Sequence, residues 1–445
     1  MEEKKLSLKT KLGFGVCDMG GNLFFTAMGF WSLYYLTDVV SLLPAAAGFA
    51  IMIGKFWDAV TDPAMGYISD RTKSKMGRRR PYLLFGSIPL FLSMWFFFTN
   101  PQIESQTLLT VWAIVALCLL NTAFTIVNVP YSSLTPELTK DYHEQSALNG
   151  YRFTFAIIGT IVGAAIVLPI LGLFSTESKG FSAAGFIMGF VMLITALITT
   201  FSVKENPPAL ESIPKEGFFK TYSAVFKNKA YLFLVGVFAL HILAINLLQG
   251  ILVYYFEYVL IAKEQTQIAL IVLLVIAMIS IGPSVSLSKK LGKKLTYQVG
   301  LGLMALGCMA IFFFGHIFGF VFVFIIMAFV GIGLGIVFAT PWAMVPDTVE
   351  WDAIKTGVRK EGIYYGMWTF FSKAGQALSI GLLGLLLTMS GYLPNIEQNN
   401  KTIFTIRLLV GPIPALIFLA AIITLIFYPI SEKVYNEMMK GKETS

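Results

Sequence analysis

Twelve stretches of roughly 20 predominantly apolar residues, the length that crosses the hydrocarbon core of a bilayer, run through this chain. They begin near residues 12, 44, 80, 107, 146, 181, 229, 265, 294, 320, 361 and 404. A segment surrounded by lipid must satisfy its own backbone hydrogen bonds, so each stretch predicts a membrane helix. Composition agrees: 56% of the 445 residues are hydrophobic and only 13% are charged. A soluble surface of this size needs more polarity than that. The expected fold class is an all-α membrane protein of twelve transmembrane helices in two pseudo-symmetric six-helix bundles.

The formal net charge of +8 does not point to nucleic acid, because lysine and arginine fall in short clusters between apolar runs rather than along one basic face. Most of these clusters lie in alternate loops, whereas the opposite loops hold only Lys179, Lys263 and Lys401. The positive-inside rule then puts both termini in the cytoplasm, with the chain a multi-pass protein of a plasma-type membrane. The polar, basic N-terminus is followed by a long apolar run without a small-x-small cleavage site, so the first helix is expected to remain in the mature fold. Cys17, Cys118 and Cys308 lie far apart inside apolar runs and have neither metal-ligand nor redox spacing.

One long polar connection, with Pro207, Pro208 and Pro214, divides the chain into residues 1–203, a linker 204–228 and residues 229–445. The halves echo each other. Asp70 to Arg80 follows the second helix and Ser288 to Lys294 the eighth, each a basic hairpin with a glycine, Gly77 or Gly292, about half the chain apart.

Charges inside membrane helices cost several kcal/mol and mark functional sites. Lys55, Asp58 and Asp62 in the second helix stand at i, i+3 and i+7 and face one way. Two carboxylates one turn apart in a low dielectric repel, so one holds a proton or a cation sits between them. Pro63 cannot donate to the carbonyl of Ala59, which leaves another oxygen nearby. The alternative reading is an architectural ion pair of Asp58 or Asp62 with Lys55, or with a lysine or arginine of another helix, which accounts more readily for one carboxylate than for both. The fourth helix carries Asn121, Thr125, Asn128 and Ser132 on one face, either as interhelical glue or as a cavity lining. Asp18, Asn22 and Thr26 share a face of the first helix, and Tyr365, Thr369, Ser372 and Gln376 share one of the eleventh, beside Trp368 and Lys373. Arg152 in the fifth helix faces the same cavity or snorkels to water. Carboxylate, amide, guanidinium and an indole ring are the groups that hold a polyol, so Asp18, Asn22, Asn128, Arg152, Trp368, Thr369 and Lys373 are the expected substrate-binding residues.

The two-half layout resembles the major facilitator superfamily, which binds solute between its halves near the bilayer midplane. More closely, the chain resembles the glycoside-pentoside-hexuronide:cation symporters, the melibiose permease-like family. The resemblance rests on Tyr34-Tyr35-Leu36-Thr37-Asp38, on Trp57-Asp58 followed by Asp62-Pro63, on Val129-Pro130-Tyr131-Ser132-Ser133-Leu134, on Tyr151-Arg152-Phe153 and on Lys373. It implies cation-coupled symport, with Asp58 and Asp62 binding the ion and oxygens of Thr61 and Thr125 beside them, and with Asp18, Arg152, Thr369 and Lys373 around the sugar. The ion expected is Na+ or H+, with Li+ left open, and no other cofactor is expected. Asn128 and Ser132 replace an aspartate and a tryptophan of the galactoside carriers, so a glycoside, pentoside or hexuronide is the expected solute rather than melibiose itself. The expected partners are that small solute and the lipid bilayer, with a monomer as the functional unit. The rival readings are a lysophospholipid or other amphiphile carried on the same fold, and a drug/proton antiporter. An enzyme is not expected, because His143, His241 and His316 form no catalytic constellation.

Overall fold

The computed structural model describes residues 6–139, 142–205, 225–356, 361–431, 433–435 and 437. Residues 206–224, most of the expected linker, lie outside them. Among the described residues the regular structure is entirely helical. In chain order the long helices are α1 (Leu8–Tyr34), α2 (Pro44–Arg71), α3 (Arg80–Phe97), α4 (Gln106–Ser132), α5 (Tyr142–Ala165), α6 (Glu177–Ser202), α7 (Lys229–Tyr254), α8 (Thr266–Leu291), α9 (Lys293–Ala310), α10 (His316–Thr356) and α11 (Glu361–Ser390). The twelfth segment is broken at Gly411 into α12 (Asn400–Val410) and α13 (Pro412–Ile426).

By length and apolarity, 7 helical spans among the described residues could cross a membrane, one of which, residues 293–354, takes in both α9 and α10. The less apolar α1, α2 and α5 are the helices that carry Asp18, Lys55, Asp58, Asp62 and Arg152. Polar side chains start the helices where the backbone would leave free N–H groups. Ser7, Ser105, Thr176, Asn228 and Asn399 accept from the N–H groups of Thr10, Leu108, Lys179, Tyr231 and Thr402. The start of α3 is capped differently: the Glu205 carboxylate accepts from the backbone N–H groups of Arg78, Arg79 and Arg80. The side chains of Arg78 and Arg79 meet Glu137, and Arg79 also pairs with Asp70.

The chain forms two compact units, Met1–Ile213 with Ile380–Glu397, and Pro214–Ser379 with Gln398–Ser445. The units depart from chain order at one place, because the end of α11 and the turn after it group with the first unit. There the Tyr392 hydroxyl donates to the Asp38 carboxylate, Asn395 Nδ2 donates to the Asp38 carbonyl and the Ala45 N–H donates to Thr388 Oγ1. Gly48 and Gly384 let the two backbones abut, since a Cβ on Gly384 would lie 2.3 Å from the Pro44 carbonyl oxygen.

Each unit repeats a backbone device. α1 runs into a π-helical turn, Tyr35–Val39, and α7 into another, Tyr255–Val259. In the first, Val40 and Leu42 donate to the carbonyls of Tyr35 and Leu36; in the second, Leu260 and Ala262 donate to Tyr255 and Phe256. Ser41 and Ile261 then both adopt positive φ, 63° and 50°. Gly77 and Gly292, the glycines of the two basic hairpins, likewise have positive φ, 106° and 78°.

Glycine seams set the helix spacing. A Cβ on Gly159 of α5 would lie 2.1 Å from the Met19 carbonyl oxygen of α1, and one on Gly335 of α10 would lie 2.2 Å from that of Ala277 in α8. Backbones that close leave no room for any side chain. Gly159→Ala is therefore expected to force α1 and α5 apart at a cost of about 1–3 kcal/mol or more, lowering the thermal unfolding midpoint in detergent. Gly236→Ala, whose Cβ would meet nothing within 4 Å, serves as the unaffected control.

Candidate functional site

In the first unit, α2 packs along α4. Gly54 permits the approach, with its added Cβ 3.0 Å from Leu117 Cβ, and Trp57 Nε1 donates to Thr122 Oγ1 at 2.8 Å across the contact. This brings the coupled carboxylates to α4. Thr125 Oγ1 lies 2.8 Å from Asp58 Oδ1 and 2.8 Å from Asp62 Oδ1. Asp58 is 2% exposed and Thr125 is 1% exposed, and Lys55 is also buried. Lys55 Nζ sits 5.6 Å from the centre of the Phe25 ring of α1. Thr61 points its hydroxyl at the Asp58 backbone carbonyl, 3.3 Å away, rather than at either carboxylate.

One hydroxyl reaches both carboxyl groups, and Lys55 is buried on the same helix face. A threonine hydroxyl has a single proton to donate, yet Thr125 Oγ1 is within hydrogen-bond distance of two carboxyl groups. If it donates to one, the other contact needs a proton on that carboxyl, or a cation held between the oxygens. A buried carboxylate, a half-buried one and a hydroxyl are hard oxygen donors. The described residues contain no group of three or more His, Cys, Asp or Glu side chains that would hold a transition metal.

A second polar cluster joins α1, α4 and α5. Arg152 Nε donates to Asp18 Oδ2 at 2.6 Å and Nη2 lies 3.4 Å from Oδ1, a skewed two-point pair. The Tyr131 hydroxyl lies 2.7 Å from Asp18 Oδ2 and 3.0 Å from the Phe14 carbonyl oxygen. The guanidinium also sits over the rings of Tyr131 and Phe14, with the centroids 5.0 and 5.7 Å away. Arg152 thus turns inward to a carboxylate instead of snorkelling. Asn22 Nδ2 donates to the Asp18 backbone carbonyl, and Asn128 is half-buried with its Oδ1 facing Gly21 of α1. In the sequence Tyr131 stands out only as part of the Val129-Pro130-Tyr131-Ser132-Ser133-Leu134 motif. Nothing in its spacing indicates that its hydroxyl reaches Asp18, which depends on how α1 crosses α4.

In the second unit the expected residues of α11 separate. Thr369 is exposed, with its hydroxyl bonded to the Tyr365 carbonyl, and Lys373 is half-buried. Trp368 departs from its expected role as a platform for a sugar: it is 0% exposed and stacks on Phe238 of α7, centroids 3.7 Å apart. Its ring faces are covered by the core of the unit. The accessible indole nearby is Trp342 of α10, 49% exposed and stacked with Tyr365. Trp342 follows Pro341, and with Pro346 below it that stretch is doubly proline-marked, a signal that was available in the sequence.

Residues 13–432 match the family described as MFS/sugar transport protein. The chain belongs to that family. It is accordingly an integral membrane transporter of the major facilitator superfamily and not an enzyme. A putative sulfoquinovose importer of Escherichia coli (strain K12) is 31% identical over 96% of this chain and 92% of its own. The sodium-dependent lysophosphatidylcholine symporter 1-A of Danio rerio is 27% identical over 97% of this chain and 87% of its own. Among solved structures, a bacterial homolog of the human lysosomal transporter Spinster superposes with a TM-score of 0.70 at 14% identity, covering 95% of this chain and 98% of that one. The nucleoside transporter NupG superposes with a TM-score of 0.65 at 16% identity, covering 93% and 99%. These two share the fold.

The Asp18 and Arg152 side chains are only 16% and 23% exposed. Removing one charge strands the other. Asp18→Asn and Arg152→Gln are each expected to lower the unfolding midpoint of the purified transporter more than half as far as the double variant, with a coupling of about 0.5–3 kcal/mol in a double-mutant cycle.

Proposed function

We propose that this family member is a cation-coupled symporter of a sugar or glycoside, a hexuronide or pentoside among the candidates, working by alternating access with Na+ or H+ as the driving ion. The observation that carries the reading is the single Thr125 hydroxyl shared by Asp58 and Asp62. An ion or proton at that shared contact ties α2 to α4, and its departure lets the carboxylates repel. An event of that kind is what a coupled carrier needs, because the solute then raises ion affinity by the same factor as the ion raises solute affinity.

The solute reading is supported by the Asp18–Arg152–Tyr131 cluster, which offers paired donors and acceptors to hydroxyl groups, and by the accessible Trp342 ring. A similar sulfoquinovose importer agrees with a polar solute carrying charge. The likeness to a lysophosphatidylcholine symporter favours an amphiphile as the second reading. The basic hairpins at Arg78–Arg80 and Lys293–Lys294 support an orientation with both termini in the cytoplasm, in a bacterial-type inner membrane. A monomer suffices for this mechanism.

The test is uptake into proteoliposomes with sodium and proton gradients imposed separately, using labelled glycosides, pentosides, hexuronides and a lysophospholipid. Accumulation of a sugar above equilibrium under one gradient is expected. Movement of the lysophospholipid alone would favour the second reading, and equilibration without accumulation would remove coupling. Asp58→Asn is expected to lose gradient-driven accumulation while still binding solute; accumulation at the wild-type level would refute its role.

A further inference from the structure

One polar atom beside the carboxylates is left over. Asn121 lies one helical turn before Thr125 on the same face of α4, and Gly54 lies one turn before Asp58 on α2. A Cβ on Gly54 would be 3.2 Å from Asn121 Nδ2, so the amide stands in the α2–α4 seam itself and not toward lipid. Asn121 is 3% exposed. Its Nδ2 donates to the Leu117 carbonyl within its own helix, and its Oδ1 is buried with no donor in reach. A buried acceptor without a partner costs about 1–3 kcal/mol. Interhelical glue does not explain it, because the one hydrogen bond of the amide stays inside α4 and its Oδ1 receives none.

We infer that Asn121 Oδ1 is a further oxygen ligand of the coupling cation and makes the site favour sodium over a proton. The inference rests on the cation-coupled reading of Asp58 and Asp62. The distances allow it: side chains one turn apart start about 5–6 Å from each other on a helix surface. Oxygens at about 2.3–2.6 Å on opposite sides of a hard cation are separated by about 5 Å. A cation bound between α2 and α4 can therefore touch the amide oxygen of Asn121 and the hydroxyl of Thr125 together. The chemistry is selective. A proton needs only one basic oxygen and is already served by the Asp58–Thr125–Asp62 cluster, whereas a metal cation gains from each added oxygen. An amide carbonyl supplies such an oxygen without charge and is not itself protonated near neutral pH. Asn121 thus strengthens sodium binding and leaves proton binding by the carboxylates as it was.

Equilibrium binding of radiolabelled sodium to the purified full-length transporter in nanodiscs, at several pH values, tests this directly. Asn121→Leu, which keeps the volume and removes the oxygen, is expected to weaken sodium binding about tenfold or more, the scale on which metal-site partners act. The pH at which protons displace the ion, extrapolated to zero sodium, should not move. Asn121→Asp keeps the oxygen and adds charge, so at a pH high enough to ionise the added carboxyl against its neighbours it should bind sodium at least as tightly as the wild type. Asp58→Asn should bind none. Wild-type sodium affinity in Asn121→Leu, alongside loss in Asp58→Asn, would overturn the Asn121 assignment and leave the carboxylate site standing. Equal weakening of sodium and proton binding, or weakened sodium binding in Asn121→Asp at that pH, would show a packing role instead. A wild type that binds no sodium would overturn the sodium reading itself.

Discussion

Two carboxylates inside a membrane protein must be compensated, and the contact between α2 and α4 exists to do so. Asp58 and Asp62 are close enough to repel, and a hydroxyl within hydrogen-bond distance of both carboxyls, that of Thr125, belongs to the neighbouring helix. Every feature that brings the two helices together serves that contact. Gly54 gives the backbone room, Trp57 ties to Thr122, and α4 is apolar enough elsewhere to exclude water. In a low dielectric two like charges this close repel far more strongly than they would in water.

The Asp18–Arg152 pair works differently. Here the opposite charges are both present, and Tyr131 and Phe14 enclose the guanidinium with ring faces and a hydroxyl. The pair is held by α1 and α5, whose backbones touch at Gly159 and Gly163. Close glycine packing brings these two helices into backbone contact, which sets the distance across which the ion pair forms. The corresponding seam between α8 and α10, at Gly331 and Gly335, makes the same kind of contact in the second unit.

The two halves share more backbone than sequence. The Tyr-Tyr pairs that end α1 and α7 lead into the same π-helical turn, the same pair of hydrogen bonds and the same positive φ, although Ser41 and Ile261 have nothing chemical in common. A backbone that retains a strained residue in both copies is fixed by the packing around it rather than by the residue. The membership of the end of α11 in the first unit breaks the symmetry, and it does so through Asp38, a carboxylate that accepts hydrogen bonds from Tyr392 and Thr37.

The sequence by itself determined the helices, because lipid requires apolar runs of fixed length, and it located the intramembrane charges, because each one violates that requirement. It marked Asp58 and Asp62 as a pair, since a helix places i and i+4 on one face whatever surrounds it. The hairpin glycines and the close-packing glycines of α5 were legible for the same local reason. What surrounds each residue was decided only by the tertiary structure. Trp368 and Trp342 are alike as sequence, yet one is buried against Phe238 and the other is open, since burial depends on which helix lies opposite. Thr61 and Thr125 both offered an oxygen, but only Thr125, across the seam, meets the carboxylates. Tyr131 meets Asp18 for the same reason. Periodicity fixes the direction of a side chain about its own helix axis, and the partner it meets there follows from how the helices cross.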